Sequence, residues 1–274
     1  MTFSGNNLRA ALTGVPETAL WTLRNRAEEA QRSDSGYADE EAVRLYRALA
    51  GEDFERFGPP SQVHPMRAMV IDEIIADFLA AHPAGPVVAL GEGLQTTYWR
   101  LGEPAAAWFS LDLPEMVAAQ QRLLPPAPAI TRLARSVLDR SWLDEVPSGP
   151  AVVTAEGLFM YLPPAEVHLL IADLAGHFPG GILLYDSIPR VFSALTMKGR
   201  VRLSNRYIAP PMPTSQSLRQ ARRLPTRVPG VVASEDLVPP IGRGRWASPL
   251  LRRVASAPVV RALRPSLTLL RFSE

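Results

Sequence analysis

Residues 87–112 read VVALGEGLQTTYWRLGEPAAAWFSLD. Two short apolar runs stand in this stretch: one ends in Gly91-Glu92-Gly93, the other, Trp108-Phe109-Ser110-Leu111, in Asp112. Short apolar runs of this kind are the pattern of strands buried on both faces of a parallel sheet. Glycines directly after the first strand let the backbone turn tightly and approach a ligand closely. An acidic residue ending the second, 21 positions after Gly91, is where an open α/β sheet offers a carboxylate to a ribose diol. The bland alternative is a glycine turn joining a core strand to its helix, with Asp112 as a helix N-cap.

The loop narrows the kind of nucleoside. A dinucleotide fingerprint wants a third small residue three positions after the second glycine, and here that position is Thr96. Glu92 inside the loop would also repel a pyrophosphate. The turn therefore suits S-adenosylmethionine, which carries a ribose but no phosphate.

Outward from this stretch the pattern is helical before and alternating after. Residues 17–31, 39–49 and 64–81 predict three helices, with Gly58-Pro59-Pro60 breaking the chain between the last two. From Pro86 the order is βαβα: strands over 87–90, 107–111, 130–134, 151–154 and 182–185, helices over 114–124 and 163–177, and a terminal strand over 266–272. Residues 1–85 are expected to form a helical cap on the same domain, and 86–274 the nucleoside-binding core. Residues 189–245 are rich in proline, arginine and serine, with at most one or two helices (one over 192–202), and 189–265 is read as a lid inserted before the last strand.

Composition excludes several chemistries. The 274 residues contain no cysteine, which removes disulfides, thiolate catalysis and cysteine-ligated metals. The four histidines, His64, His82, His168 and His177, lack metal-ligand spacing, so no metal is expected. No apolar run is long enough to span a bilayer and the first residues do not resemble a signal peptide, so a cytoplasmic protein is expected. The net charge of +2 conceals an asymmetry: residues 1–189 hold 13 basic and 24 acidic side chains, residues 190–274 hold 16 and 3. The basic third either attracts an acidic ligand or lies across the acidic body and neutralises it; the scatter of its arginines through Pro-rich sequence favours the second.

Four segments together, PETALWTLRNRAEEA, LGEGLQT, SLDLPEMVAAQQRLLP and AEGLFMYLPPAEVHLLIADLAGHFPGG, resemble the leucine carboxyl methyltransferase superfamily. Within it they are most similar to bacterial polyketide-tailoring O-methyltransferases of the tetracenomycin type. The resemblance implies an α/β, class I methyltransferase (Rossmann-like) fold, a seven-stranded sheet with a reversed last strand, and S-adenosylmethionine as cofactor. It implies that Arg67 pairs with the cofactor's carboxylate, that Gly91 and Gly93 permit close approach, and that Asp112 accepts from both ribose hydroxyls. Ser136 and Val137 would sit at the adenine, and Glu156 beside the cofactor at the end of the fourth strand. The family usually has an aspartate where Gln95 stands, a small residue where Glu92 stands, a basic residue at Met69 and an aspartate at Ser136.

The function that follows is transfer of a methyl group to a carboxylate or phenolic hydroxyl of a small metabolite, in polyketide-type secondary metabolism. A sulfonium is already activated, so alignment does most of the work, and no dedicated base is expected. His64 and Tyr161 are the candidates if one exists, with Tyr207 beside them. Tyr207, Met212 and Trp246 of the lid are expected to shape the acceptor pocket with the N-terminal helices. The competing readings are a homologue that binds the cofactor without methyl transfer, or that runs different sulfonium chemistry. RNA modification is disfavoured, because the basic third lacks interleaved aromatics for stacking bases.

Overall fold

The computed structural model describes residues 12–239, 242–249, 253 and 264–274. The chain begins with helices α1 (Thr18–Ala30), α2 (Glu40–Ala48) and α3 (Val63–Ala81), with a short 3-10 turn, Phe54–Phe57, between the last two. Then come β1 (Val87–Leu90), α4 (Thr97–Arg100), β2 (Trp108–Asp112), α5 (Pro114–Leu123), β3 (Ile130–Ala134), β4 (Val152–Ala155), α6 (Pro164–His177) and β5 (Ile182–Ser187). The last part holds α7 (Arg190–Met197), a small hairpin of β6 (Arg202–Ser204) and β7 (Tyr207–Ile208), α8 (Leu218–Ala221), β8 (Val231–Leu237) and β9 (Ser266–Phe272).

Seven strands form one sheet in the order β3-β2-β1-β4-β5-β9-β8. The first five are mutually parallel, and β9 runs antiparallel to both β5 and β8. The order reverses between β1 and β4, and at such a switch point the carboxyl ends of the strands open into a crevice. All four residues of β1 and of β4 are buried, as central strands covered on both faces require. Edge strand β3, ITRLA, alternates instead and is largely exposed.

Three apolar clusters hold the layers. One face packs Val88, Phe109, Val153 and Leu183 against Leu170 and Leu174 of α6. The other packs Val87, Trp108 and Leu184 against Ile71, Ile75 and Phe78 of α3. The third joins Leu20 and Leu23 of α1, Leu45 of α2 and Met116 of α5 to Leu94 in the glycine loop and Tyr207 of the lid hairpin.

The segment read as an irregular lid contains a sheet strand. β8 pairs with β9 along Val231–Leu237 and forms the sheet's edge. Its sequence, VVASEDL, hides this because one side of an edge strand faces water and needs no apolar run. The helix expected over 192–202 is observed earlier, as α7, starting after Pro189. Of the expected pocket residues in the lid, the side chain of Trp246 lies outside the described residues.

Candidate active site

At the carboxyl ends of β1, β2, β4 and β5 lies a cavity of about 270 Å³. Its floor is built by the loops after these strands, with Gly91, Gly93, Asp112, Glu156 and Asp186 on its lining. Its walls come from α1 and the turn before it, from α3, and from the segment after β5 through Phe192, Leu203, Ala209 and Met212.

Gly91 and Gly93 both adopt φ of +60°, a left-handed conformation that costs an L side chain about 1–2 kcal/mol. At Gly91 a Cβ would also sit 2.9 Å from Leu158 Cδ1. The loop is anchored from below by Arg26 of α1, which is fully buried. Arg26 donates to Leu94 O at 2.6 Å, to Thr96 Oγ1 at 2.6 Å and to Asp39 Oδ2 at 2.8 Å. Arg100 also donates to Asp39, at 3.0 Å, and grips Asp72 with Nε and Nη2. Two arginines hold the Asp39 carboxyl at about 2 despite its burial. Thr96, the residue that breaks the dinucleotide fingerprint, is thus the link between the helical cap and the glycine loop.

Asp112 accepts from Gly93 N at 2.7 Å through Oδ2 and from Leu113 N at 2.8 Å through Oδ1. Burial pushes its carboxyl up to about 6, against the pull of these two amides. The N-cap of α5 is Leu113, not Asp112, with Pro114 at the first helical position. Glu92 also lines the cavity. Its Oε1 accepts from Trp108 Nε1 at 3.1 Å, and burial in that position raises its carboxyl to about 7.

Arg67, on α3, reaches two carboxylates: Nε donates to Glu156 Oε2 at 2.9 Å and Nη1 to Asp186 Oδ2 at 2.7 Å. Asp186, the penultimate residue of β5, accepts from Gly157 N at 2.6 Å through its other oxygen. Gln95 Nε2 donates to Glu156 at 3.1 Å, while Gln95 Oε1 is buried with no hydrogen-bond partner. That orphaned acceptor beside Glu156 fits an ammonium, and the surplus of carboxylate over guanidinium fits a ligand of net positive charge. Both are properties of S-adenosylmethionine.

His64 and Tyr161 line the same cavity. His64 is buried, its Nδ1 lies 2.6 Å from Asn25 Nδ2, and its ring meets Trp21 edge-on at 4.7 Å. Burial first, and then Arg67 and Arg26, push its pKa well below the usual range, so the ring is neutral. Burial pushes the Tyr161 hydroxyl up to about 12, so it is protonated at neutral pH. Neither is poised as a base.

Ser136 and Val137 are not brought to this cavity. They follow β3, two and three residues beyond the strand end that pairs with Asp112. Val137 is sunk in the apolar cluster beside Trp142. Tyr207 also stands off the cavity, packed edge-on against Phe57 at 4.7 Å. Asp186 was missed by sequence reasoning, although an acid closing an apolar strand is the same signal that marks Asp112 and Glu156. A second cavity, of about 160 Å³, lies behind the first among Tyr185, Ser187, Thr214 and Gln216, and Met160 lines both.

Two arginines of the basic third pair with the acidic body: Arg243 with Glu29 at 2.5 Å and Asp34 at 3.5 Å, and Arg206 with Asp53 at 2.9 Å. No helix is long and apolar enough to cross a membrane, and no cluster of metal-ligating side chains occurs, again among the described residues.

A family model described as leucine carboxyl methyltransferase matches residues 19–175. The tetracenomycin polyketide synthesis O-methyltransferase of Streptomyces glaucescens is 33% identical over 182 residues, covering 65% of this chain and 67% of that protein. A putative S-adenosyl-L-methionine-dependent methyltransferase of Mycolicibacterium paratuberculosis is 30% identical over 193 residues, 60% of this chain and 64% of that one. The chain thus spans slightly less than two thirds of the mycobacterial relative. A putative methyltransferase from Thermobifida fusca shares the fold, with a TM-score of 0.57 over 98% of both chains at 16% identity. The family match includes Arg67, the glycine loop, Asp112 and Glu156, and on it the chain belongs to the leucine carboxyl methyltransferase family and is an S-adenosylmethionine-dependent methyltransferase.

Proposed function

We propose that the protein is an O-methyltransferase that methylates a small, largely apolar metabolite in the cavity beneath the lid. The observation that carries this reading is the continuity of that cavity. One end holds the glycine loop, Asp112 and the Arg67-Glu156-Asp186 cluster; the other is walled by Trp21, Phe192, Leu203 and Met212. The cofactor, when bound, supplies an electrophilic methyl group on a positively charged sulfur.

The chain's own residues then have these tasks. Asp112, as a carboxylate, accepts from the ribose hydroxyls. Arg67 offers a carboxylate its Nη2, since Nε and Nη1 are already engaged. Glu156 and Gln95 Oε1 receive the ammonium. The lid and α1 exclude water and hold the acceptor oxygen in line, which is where most of the rate gain arises when the donor is already activated. The acceptor is a carboxylate or a phenolic hydroxyl, and the tetracenomycin-type relative supports a polyketide-like metabolite.

The test is calorimetric titration with S-adenosylhomocysteine of the wild type and Asp112→Asn, followed by methyl transfer from labelled cofactor to an extract of aromatic metabolites. Binding by the wild type and its loss in the variant support the reading. Absence of binding by the wild type would leave a homologue of the fold without the chemistry.

A further inference from the structure

The chain around the end of β5 serves two cavities. Successive side chains of an extended chain point to opposite faces. Here Asp186 and Ile188 line the main cavity, while Tyr185 and Ser187 line the smaller one. That smaller cavity, of about 160 Å³, has an apolar side formed by Phe159, Met160, Val167 and Leu224. Its polar side comes from the chain between α7 and β8, through Gln216, Gln220 and Arg227.

The polar side is made of donors. The buried Tyr185 donates its hydroxyl to Gln216 Oε1 at 2.6 Å, which occupies the oxygen and leaves Nε2 as the free end of that amide. Gln220 is oriented in the same way: its Oε1 accepts from Ser217 N and Ser217 Oγ, both at 2.8 Å, in the capping box of α8. Neither amide nitrogen, nor the exposed Arg227 guanidinium, has a partner among the described residues. No carboxylate lines the cavity. Glu166, one residue before Val167 on α6, is engaged elsewhere, 3.6 Å from Arg140 Nη2.

Two amides with their oxygens already used and an unpaired guanidinium together call for an oxygen anion. The size calls for a small one: an apolar cavity of roughly 150 Å³ accommodates benzene. We propose that this cavity is a second ligand site, taking a small carboxylate on an apolar body. Gln216 Nε2, Gln220 Nε2 and Arg227 hold the carboxylate, and Phe159, Met160, Val167 and Leu224 hold the body. Arg227 leaves the entrance open to solvent, and Tyr185 keeps the deeper amide aimed before the ligand arrives, which lowers the ordering cost of binding. The site is separate from the methyl-transfer centre and does not depend on the methyltransferase reading.

The test is calorimetric titration of the full chain near neutral pH with benzoate and with benzamide, its neutral counterpart. Benzoate is expected to bind at least about tenfold more tightly, a difference of ~1.4 kcal/mol. Arg227→Gln and Gln216→Met, each with an unchanged thermal transition, should weaken benzoate about tenfold. Trp21→Ala, in the wall of the main cavity, should leave benzoate affinity as it is. Absence of benzoate binding, benzamide binding equally well, or the Arg227 variant matching the wild type overturns the proposal. So does an equal loss in the Trp21 variant, which would put benzoate in the main cavity. Benzoate binding without S-adenosylhomocysteine binding would strike the methyltransferase reading and leave this site standing.

Discussion

Arg67 Nη1 stands 2.7 Å from Asp186 Oδ2, a bond that ties helix α3 in the N-terminal cap to the end of β5, 119 residues later. With its second bond, to Glu156, it sets the guanidinium between two partly buried acids. Arg67→Ala leaves both acids without the guanidinium between them, each keeping one hydrogen bond. We expect a loss of about 3–5 kcal/mol in chemical denaturation, as for other buried pairs broken from one side, together with loss of S-adenosylhomocysteine binding.

Asp112 gives cofactor binding a pH dependence. It titrates near 6 in the free protein, and only the ionised form accepts from two hydroxyls at once. Affinity for S-adenosylhomocysteine should rise as pH climbs from about 5 to about 7 and then level off, with a limiting slope of about tenfold per pH unit below about 6. Calorimetry across that range checks it, and Asp112→Asn should flatten the profile at low affinity.

Stability of the free protein moves the other way in the same window. Glu92 and Asp112 have folded-state values of about 7 and about 6, above the ordinary carboxylate range. Their stabilisation is full below their unfolded values, near 4, and is lost as pH rises through 6 to 7. Glu92→Gln keeps an acceptor for Trp108 Nε1 but cannot ionise. Its melting temperature should therefore fall less than that of the wild type between about pH 5.5 and 8.

Gly91→Ala should cost both stability and affinity. The φ of +60° penalises any Cβ, and Leu158 Cδ1 would lie 2.9 Å from it. A loss of about 1–3 kcal/mol in the denaturation midpoint is expected, and Leu158→Ala in the same chain should recover the packing part but not the backbone part.

Arg243→Ala probes the lid. Its pairs with Glu29 and Asp34 are partly exposed, so the effect on global stability should be under about 1 kcal/mol. On the proposed reading of this segment as a wall of the acceptor site, KM for the acceptor should rise more than kcat falls.

The sheet was legible where strands are covered on both sides. VVAL and WFSLD are apolar because helices lie on each face, and SLTLLRF reads as a strand with the bounds observed. VVASEDL was not legible, since its outer edge meets water and its composition resembles a loop. Within the site, the positions of His64 and Arg67 in the first turns of a helix and of Asp112 and Glu156 at strand ends bring them to one cavity. What sequence could not show is direction. Glu92 sits in a ligand loop yet folds back to the indole of Trp108, because the turn set by Gly91 and Gly93 aims it there. His64 stood only as a candidate base, and its burial against Trp21 and Asn25 leaves the ring neutral.

Met160 stands between the main cavity and the smaller one beside Tyr185 and Gln216. An unbranched thioether with three rotatable bonds makes a compliant partition. Trimming this one side chain to alanine would merge two compartments into a longer gallery, letting the scaffold drift toward bulkier guests without disturbing the machinery at its other end.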